Sequence, residues 1–295
     1  MVEVTSRRGT NASPLRYPGG KAPLASFFEN TIESLELDKP TYFEPYAGGA
    51  GAGLELLFRE KVGCVVINDL DPAIHACWRA MIFDSDRFLR RLEKTPLTIN
   101  EWQIQREIYR RRHDKSTDPL HLGFATFYLN RTSRSGILGA GVIGGIQQTG
   151  TYKIGARYPK QVLKSRIEKL AEMRSKIRVT RFDGAARLEY YLQKDNLFAY
   201  VDPPYVEKGS SLYMSAFKEE NHVELARVLN RNSSANWILT YDVTDLIKRL
   251  YKARKPFEFE LLYSAHLRNL GGEKLERTKA TELMVFSKSV AGAVA

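Results

Sequence analysis

Short apolar runs alternate with amphipathic segments in both terminal parts of the chain. Apolar runs that stop at turn-forming residues predict buried strands at 41–44, 62–67, 177–182, 197–201, 237–240, 257–263 and 282–286. Segments between them predict helices at 52–60, 72–83, 185–193, 223–230 and 245–252. Asp71 is suited to cap the second of these, with Pro72 at its first position. The alternation predicts a doubly wound α/β sheet, in which ligands bind beyond the carboxyl ends of the strands.

The alternation stops between residues 84 and 175. Helix-forming residues dominate 86–112 and 120–130, and a glycine-rich segment follows at 135–155. We therefore expect an inserted, mainly helical subdomain with a loop or hairpin. This divides the chain into a main domain, 1–83 with 176–291, and an insertion, 84–175.

Composition narrows the class of protein. With 295 residues, 43% hydrophobic and 27% charged, the chain is typical of a globular protein and contains no apolar run long enough to cross a bilayer. Residues 1–13 lack the apolar core of a secretory signal. Two cysteines, Cys64 and Cys77, are too few for a disulfide framework or a zinc site, so we expect no metal and a cytoplasmic location.

The net charge of +11 favours a polyanionic partner. Several of the basic residues fall in the glycine-rich stretch between the other motifs. That clustering favours a groove for nucleic acid over a uniformly solvated surface.

The sequence Asp202-Pro203-Pro204-Tyr205 follows the predicted strand 197–201. Successive prolines have no N–H and fix the backbone, so we expect the Pro203 carbonyl beside the Asp202 carboxylate. Two such acceptors would hold both hydrogens of an exocyclic amino group, and the Tyr205 ring would stack on the base that carries it. An ordinary strand end is the alternative, because Asp and Pro are common in turns.

A glycine-rich turn at 47–53 would let a ligand approach the backbone closely. It lacks the Gly-Lys-Ser/Thr ending of a phosphate-binding loop, and Leu54 stands where a dinucleotide fingerprint needs glycine. An S-adenosylmethionine loop and a turn shaped only for packing remain open. Asp69, after the next strand, would accept both ribose hydroxyls of a cofactor, or else serve as a turn or cap residue.

Four motifs, in this order, resemble those of the Dam-like, D12-class N6-adenine DNA methyltransferases: Tyr17-Pro18-Gly19-Gly20-Lys21, the stretch 43–51, Ile67-Asn68-Asp69 and Asp202-Pro203-Pro204-Tyr205. The resemblance extends over residues 13–287. It implies a Rossmann-like methyltransferase sheet, a target-recognition role for the insertion, and methyl transfer from S-adenosylmethionine to an adenine flipped out of double-stranded DNA. Cytosine N4, RNA, or DNA binding without catalysis are the alternatives; the Asp at 202, where cytosine enzymes usually have Ser, favours adenine.

The resemblance also implies roles for individual residues. It implies catalytic roles for Asp202, Pro203 and Tyr205, and cofactor contacts for Tyr17, Lys21, Glu44, Asp69 and Asp202. Within that set Lys21 would pair with the methionine carboxylate and Asp69 with the ribose. Phe182 and Asp183 are weaker candidates for the cofactor adenine.

Four basic residues of the insertion are expected to contact DNA: Arg131, Arg134, Lys153 and Arg157. Lys208 and Tyr213 are candidates for contacts beside the flipped base, and a merely solvated loop is the alternative for each. We expect a monomer, with a cognate restriction endonuclease as a further candidate partner.

Overall fold

The computed structural model describes residues 12–17, 19–206, 217–262 and 279–294. Within them, seven strands form a single sheet in the order β3-β2-β1-β4-β5-β7-β6. The strands are β1 (Thr41–Glu44), β2 (Cys64–Asn68), β3 (Ile177–Thr180), β4 (Leu197–Val201), β5 (Trp237–Asp242), β6 (Phe257–Leu262) and β7 (Lys279–Phe286). Strands β1 to β5 are mutually parallel, and β7 runs antiparallel to both of its neighbours. The predicted doubly wound α/β sheet is confirmed.

Helices connect and cover these strands. They are α1 (Ala25–Ser34), α2 (Gly51–Phe58), α3 (Pro72–Phe83), α4 (Ser85–Lys94), α5 (Ile99–Arg110), α6 (Pro119–Thr132), α7 (Lys160–Glu172), α8 (Gly184–Tyr191), α9 (Glu219–Arg231), α10 (Asp245–Leu250) and α11 (Lys288–Ala293). The Asp71 side chain accepts from the backbone N–H groups of Ala73 and Ile74, so the predicted cap of α3 is confirmed. Helices α1, α7 and α11 were not predicted.

The central strand β4 shows how the sequence builds the core. All five of its residues are buried, as expected for a parallel strand covered on both faces. Phe198 and Tyr200 point into an apolar cluster that continues into α1 and α3. Leu197, Ala199 and Val201 point the other way, into a cluster with α8 and α9. The two-residue alternation of a strand therefore divides one apolar run between two cores.

Helices α4 to α7 occupy the predicted insertion. They pack on one another and on α3, and their buried rings belong to the same apolar cluster as Tyr42 of β1. The contact between α6 and α3 is close at Gly123, where an added Cβ would lie 2.5 Å from the Ala76 carbonyl oxygen. The insertion is thus fixed to the sheet through α3; its boundaries and its role in target recognition remain predictions.

Three further observations concern membrane helices, cysteines and clusters of acidic, His and Cys side chains. Within the described ranges, no helix has the length and apolar character needed to cross a membrane. Cys77 is buried and Cys64 half-buried, and neither is in a disulfide. Among the same residues, no group of three or more His, Cys, Asp and Glu side chains is arranged to hold a metal ion.

Candidate active site

The chain reverses direction across the sheet between β1 and β4. From β1 it proceeds to β2 and β3 on one side, and it returns to β4 on the other side of β1. Doubly wound folds bind ligands at such a reversal, beyond the carboxyl ends of the strands, and we call this region beside β1 and β4 the crevice. Glu44 ends β1, Asp69 follows β2 and Asp202 follows β4, so the topology gathers three predicted site residues at this edge.

The glycine-rich turn after β1 is held on both sides. Gly48 has a left-handed backbone with φ of 46°, and its N–H donates to Asp69 Oδ2 at 3.0 Å. An added Cβ at Gly48 would lie 2.6 Å from the Tyr17 ring, so this aromatic side chain packs directly on the turn. The side chain that lies close to the glycine backbone in this structure is therefore that of Tyr17. The structure brings Tyr17 and Asp69 to the same loop, as their predicted cofactor roles require.

Asp69 and Asp71 have separate tasks. Asp71 caps α3, whereas Asp69 accepts the Asp71 N–H at Oδ1 and the Gly48 N–H at Oδ2, each at 3.0 Å. Because a carboxylate oxygen accepts two hydrogen bonds, each Asp69 oxygen keeps one acceptor position. Desolvation raises the pKa of Asp69 to about 7. A ribose with two adjacent hydroxyls fits these remaining positions.

Glu44 holds the beginning of α2, just after the glycine-rich turn. It is buried, and its Oε1 accepts the Gly53 N–H at 3.2 Å, inside the first turn of α2. Burial raises the pKa of Glu44 to about 8. The contact fixes α2 relative to β1, and the predicted cofactor contact of Glu44 remains a prediction.

Asp202 lies at the centre of a hydrogen-bonded network. Lys21 Nζ lies 3.1 Å from its Oδ1 and 2.9 Å from its Oδ2. The Tyr205 hydroxyl donates to Oδ1 at 3.1 Å, and the Thr240 hydroxyl donates to the same oxygen at 2.9 Å. About a fifth of the Asp202 side chain is exposed, so the carboxylate is oriented from behind and open in front.

Lys21 contacts the acids of the site. Its Nζ donates to Asp202 and to the Tyr205 hydroxyl at 2.7 Å, and it lies 3.4 Å from Glu282 Oε2. Its pairing with a methionine carboxylate stays a prediction. Burial alone would lower the pKa of Lys21, but the carboxylates of Asp202 and Glu282 outweigh it and raise the pKa above its ordinary value. Lys21 is therefore a buried cation shared between two acids.

The remaining members of the predicted catalytic group lie beside Asp202. Pro203 is buried, and Tyr205 is half-buried with Lys21 Nζ 5.2 Å from its ring centroid. The Val206 N–H donates to Asp242 Oδ1 at 3.1 Å, which anchors the chain just after Tyr205 to the end of β5.

Four residues of this site were missed by sequence reasoning: Thr240, Tyr200, Glu282 and Asp242. The Tyr200 hydroxyl is 2.7 Å from Thr240 Oγ1, which in turn bonds Asp202. The available signal was the strand 237–240, because pairing of Val201 with Leu239 places Thr240 beside Asp202. Nothing in the pattern of 282–286 indicated a buried acid facing Lys21.

The rim near β3 carries the weaker cofactor candidates. Phe182 is half-exposed, with its backbone N–H and carbonyl both bonded to the Asn68 side chain. Asp183 accepts the Ala186 N–H and caps α8, so a structural task accounts for it. The Arg187 guanidinium lies over the Phe182 ring, 4.5 Å from its centroid, and the contact of Phe182 with an adenine remains a prediction.

The predicted DNA contacts fall into two groups. Arg134, Lys153 and Arg157 are exposed, as a surface strip requires. Arg131 differs, because it is only 7% exposed in the last turn of α6, and burial and neighbouring arginines lower its pKa to about 9. A contact between Arg131 and DNA remains a prediction, and it would have to be made from a buried position instead of from the exposed strip. Lys208 and Tyr213 lie outside the described residues.

The amino-acid sequence matches the model of a known protein family and one characterised relative. The family model described as D12 class N6 adenine-specific DNA methyltransferase matches residues 17–270. The chain is 24% identical over 279 residues to the Type II methyltransferase M.MjaIII of Methanocaldococcus jannaschii, covering 88% of this chain and 93% of that protein. This supports the order of motifs found in the sequence.

Among solved structures, the rRNA methyltransferase aviRa from Streptomyces viridochromogenes is similar at 16% identity, with 99% of this chain and 93% of that chain covered and a TM-score of 0.34. A second structure of that enzyme gives 15% identity and a TM-score of 0.33, over the same shares. Likeness at this level adds nothing to the argument. From the family match, which spans most of its length, the chain belongs to the D12 class of N6 adenine-specific DNA methyltransferases.

Proposed function

We propose that the protein transfers a methyl group from S-adenosylmethionine to N6 of an adenine flipped out of DNA. The observation that carries the proposal is the Asp202 carboxylate, oriented by Lys21 and Thr240 at the open front of the β1–β4 crevice. The family match supports the reaction type.

The cofactor side is formed by the loop after β1 and by Asp69. S-adenosylmethionine supplies an electrophilic methyl group on sulfur. Asp69 would hold the ribose through the acceptor position left on each of its oxygens, while Tyr17 closes the loop and Phe182 lies at the rim.

The base side is formed by residues 202–205. The N6 lone pair of adenine is delocalised into the ring, so the amino group must be held in line with the methyl group. Asp202 and the Pro203 carbonyl would accept the two N6 hydrogens, and the carboxylate stabilises the positive charge that develops on nitrogen. The N6 proton is lost after methylation, when the nitrogen has become acidic, so Asp202 need not be a strong base.

Base entry requires Asp202 to give up a contact. Both of its oxygens are bonded to Lys21, and Oδ1 also receives Tyr205. Glu282 lies 3.4 Å from the same ammonium group and would retain it when an adenine amino group takes its place. The Tyr205 ring would then be free to stack on the base, a contact worth about 1–3 kcal/mol in single-strand binders.

The test is methyl transfer from labelled S-adenosylmethionine to varied DNA duplexes, followed by mass analysis of digested nucleosides. N6-methyladenine is the expected product. N4-methylcytosine, or label in RNA alone, would replace the adenine assignment, and no product from any acceptor would reject the proposal.

A matched pair of variants tests the role of Asp202. Asp202→Ala should lower turnover by at least about 10³-fold, because the acceptor for N6 is lost. Asp195→Ala is the control: Asp195 is exposed at the opposite end of the same strand and should retain activity. Circular dichroism checks that both variants fold, and near-normal turnover of folded Asp202→Ala would refute the assigned role.

The name of the relative from Methanocaldococcus jannaschii contains the term Type II. We extend the proposal to double-stranded DNA as the substrate and to a monomer as the acting form. A cognate restriction endonuclease remains an expectation, and co-purification with the protein would test it.

A further inference from the structure

Four arginines from separate elements meet on the insertion side of the molecule. Arg16 precedes the Tyr17 motif, Arg131 ends α6, Arg157 ends a short 3-10 turn, and Arg166 lies in α7. Arg16, Arg157 and Arg166 are close enough for their charges to contribute to the lowered pKa of Arg131, after burial itself. We call these four residues the arginine cluster.

The arginine cluster has no counter-charge in the part of the chain that the structure describes. None of its members forms a salt bridge with Asp or Glu there, whereas Arg59 and Arg227 do. Arg166 Nη1 donates to the Ser13 carbonyl at 3.1 Å, and Arg157 lies over the Tyr152 ring. Of the four, only Arg131 is buried, while Arg16 and Arg166 are half-buried and Arg157 is exposed. Buried arginines in proteins are almost always paired, so Arg131 without a carboxylate calls for an explanation.

Three buried donors in the same place lack hydrogen-bond partners. They are Arg131 Nε, Arg16 Nη1 and the Tyr158 hydroxyl, which lies near Arg131 and belongs to a residue that is only 4% exposed. All three can donate N–H or O–H. Leaving a buried donor unsatisfied costs about 1–3 kcal/mol, so a ligand that accepts all three would be strongly favoured.

The backbone holds the cluster rigidly. The Asn130 side chain accepts the Arg16 N–H at 2.7 Å and donates to the Arg16 carbonyl at 2.7 Å and the Gly136 carbonyl at 3.0 Å. Arg16 is thereby fixed to the end of α6 despite the repulsion between like charges. It is also the residue directly before Tyr17, which packs on the glycine-rich turn of the crevice.

We infer that the arginine cluster, with the Tyr158 hydroxyl, binds one phosphodiester group of the DNA backbone. A tetrahedral anion with several acceptor oxygens satisfies the unpaired donors and the excess positive charge together. The exposed Arg157 marks the side from which the backbone enters. Through Arg16 and Tyr17 the bound phosphate would fix the position of DNA relative to the crevice, so the inference rests on the proposed function.

The first measurement is binding of a random-sequence duplex without cofactor, across a range of salt concentrations. Arg166→Gln should weaken binding about tenfold and reduce the slope of log K against log salt by about 0.9, the value for one lost phosphate contact. Arg178→Gln is the control, because Arg178 is exposed at the start of β3, at the opposite edge of the sheet from the crevice. It removes the same charge and should leave the slope unchanged.

Tyr158→Phe gives a second variant that keeps the shape of the core. It removes only the hydroxyl and should weaken duplex binding several-fold, with the thermal midpoint in phosphate-free buffer unchanged or raised. Inorganic phosphate should raise the thermal midpoint of the wild type and have less effect on both cluster variants. Binding by Arg166→Gln and Tyr158→Phe equal to that of Arg178→Gln would overturn the inference.

Two further outcomes separate the possibilities. Protection by inorganic phosphate with an unchanged duplex slope would mean a site for a free anion, and would overturn the assignment to DNA. A changed slope together with no methyl transfer to any duplex would support the phosphodiester site while rejecting the proposed reaction.

Discussion

Lys21 and Arg131 are both buried cations, but their surroundings are opposite. Lys21 lies between Asp202 and Glu282, whose carboxylates raise its pKa. Arg131 lies among other arginines, and burial together with these neighbours lowers its pKa to about 9. The first arrangement neutralises itself within the folded chain. The second leaves both charge and hydrogen bonds unsatisfied.

The difference indicates how each region meets its ligand. In the crevice, an incoming base must compete with the contacts that Asp202 already makes. A base that binds Asp202 well enough to displace Lys21 towards Glu282 would be favoured over one that does not, and this competition can provide selectivity among bases. In the arginine cluster nothing has to be displaced, but the folded protein carries a cost until an anion binds. Regions that are kept for binding often reduce stability in this way.

Removal of the shared cation should have the largest effect on stability. Lys21→Met leaves the carboxylates of Asp202 and Glu282 without the cation between them, and we expect a loss of about 3–5 kcal/mol in the free energy of unfolding. Urea denaturation at neutral pH measures it. Adding Glu282→Gln should restore part of the loss, since one of the two negative charges is removed. A Lys21→Met variant as stable as the wild type would show that the pair contributes nothing.

Glu44 is a buried acid with no ion-pair partner in the described part of the chain, and it should make the stability of the protein depend on pH. Its pKa of about 8 lies above the ordinary 4.5, so the folded state holds a proton that the unfolded state releases. The contribution of Glu44 to stability should therefore be constant below pH 4.5, fall by about 5 kcal/mol between pH 4.5 and 8, and level off above. Glu44→Gln should remove this part of the slope in thermal unfolding, and an unchanged slope would contradict the assignment.

Arg131→Met should change stability in the opposite direction from Lys21→Met. An apolar side chain of similar length removes an unpaired buried charge, and we expect a gain of about 1–2 kcal/mol in phosphate-free buffer. Because the folded-state pKa is about 9, the penalty is present in full below pH 9 and is relieved as the pH rises from there towards 12.5. The advantage of the variant should therefore shrink above pH 9. A loss of stability at neutral pH would show that the arginine is compensated.

An exposed ion pair should show the smallest effect and calibrate the others. Lys248 and Glu258 are 3.0 Å apart, and both side chains are about half exposed. Lys248→Gln should cost about 0.5 kcal/mol or less in urea denaturation, and the difference should vanish in high salt. A cost similar to that of Lys21→Met would mean that burial does not control these energies.

The sequence predicted the elements that local patterns govern. Strand β4 and helix α3 agree with prediction at both ends, because a short apolar run and an Asp-Pro start are local signals. Strand β1 also agrees at both ends, whereas some other ends differ by a few residues, as for β5, which continues to Asp242. Helix α1 was missed, although it carries Phe27 and Phe28 of the core.

Contacts between distant residues could not be predicted in the same way. Lys21 and Asp202 are 181 positions apart, and only the position of β4 next to β1 brings them together. The same holds for Arg16 and Asn130, 114 positions apart. Sequence patterns identify which residues carry chemistry, but the partner of each depends on strand order and register.

The amino-acid sequence by itself determined the sheet, the order of the four motifs and the reaction class they imply, because turns, caps and apolar periodicity act over a few residues. Only the tertiary structure decided that Lys21 serves Asp202 and Glu282, that Thr240 orients the carboxylate, and that Arg131 is buried among like charges. The physical reason is that charge and burial depend on which side chains the folded backbone brings within a few ångströms of one another, and that depends on the whole chain.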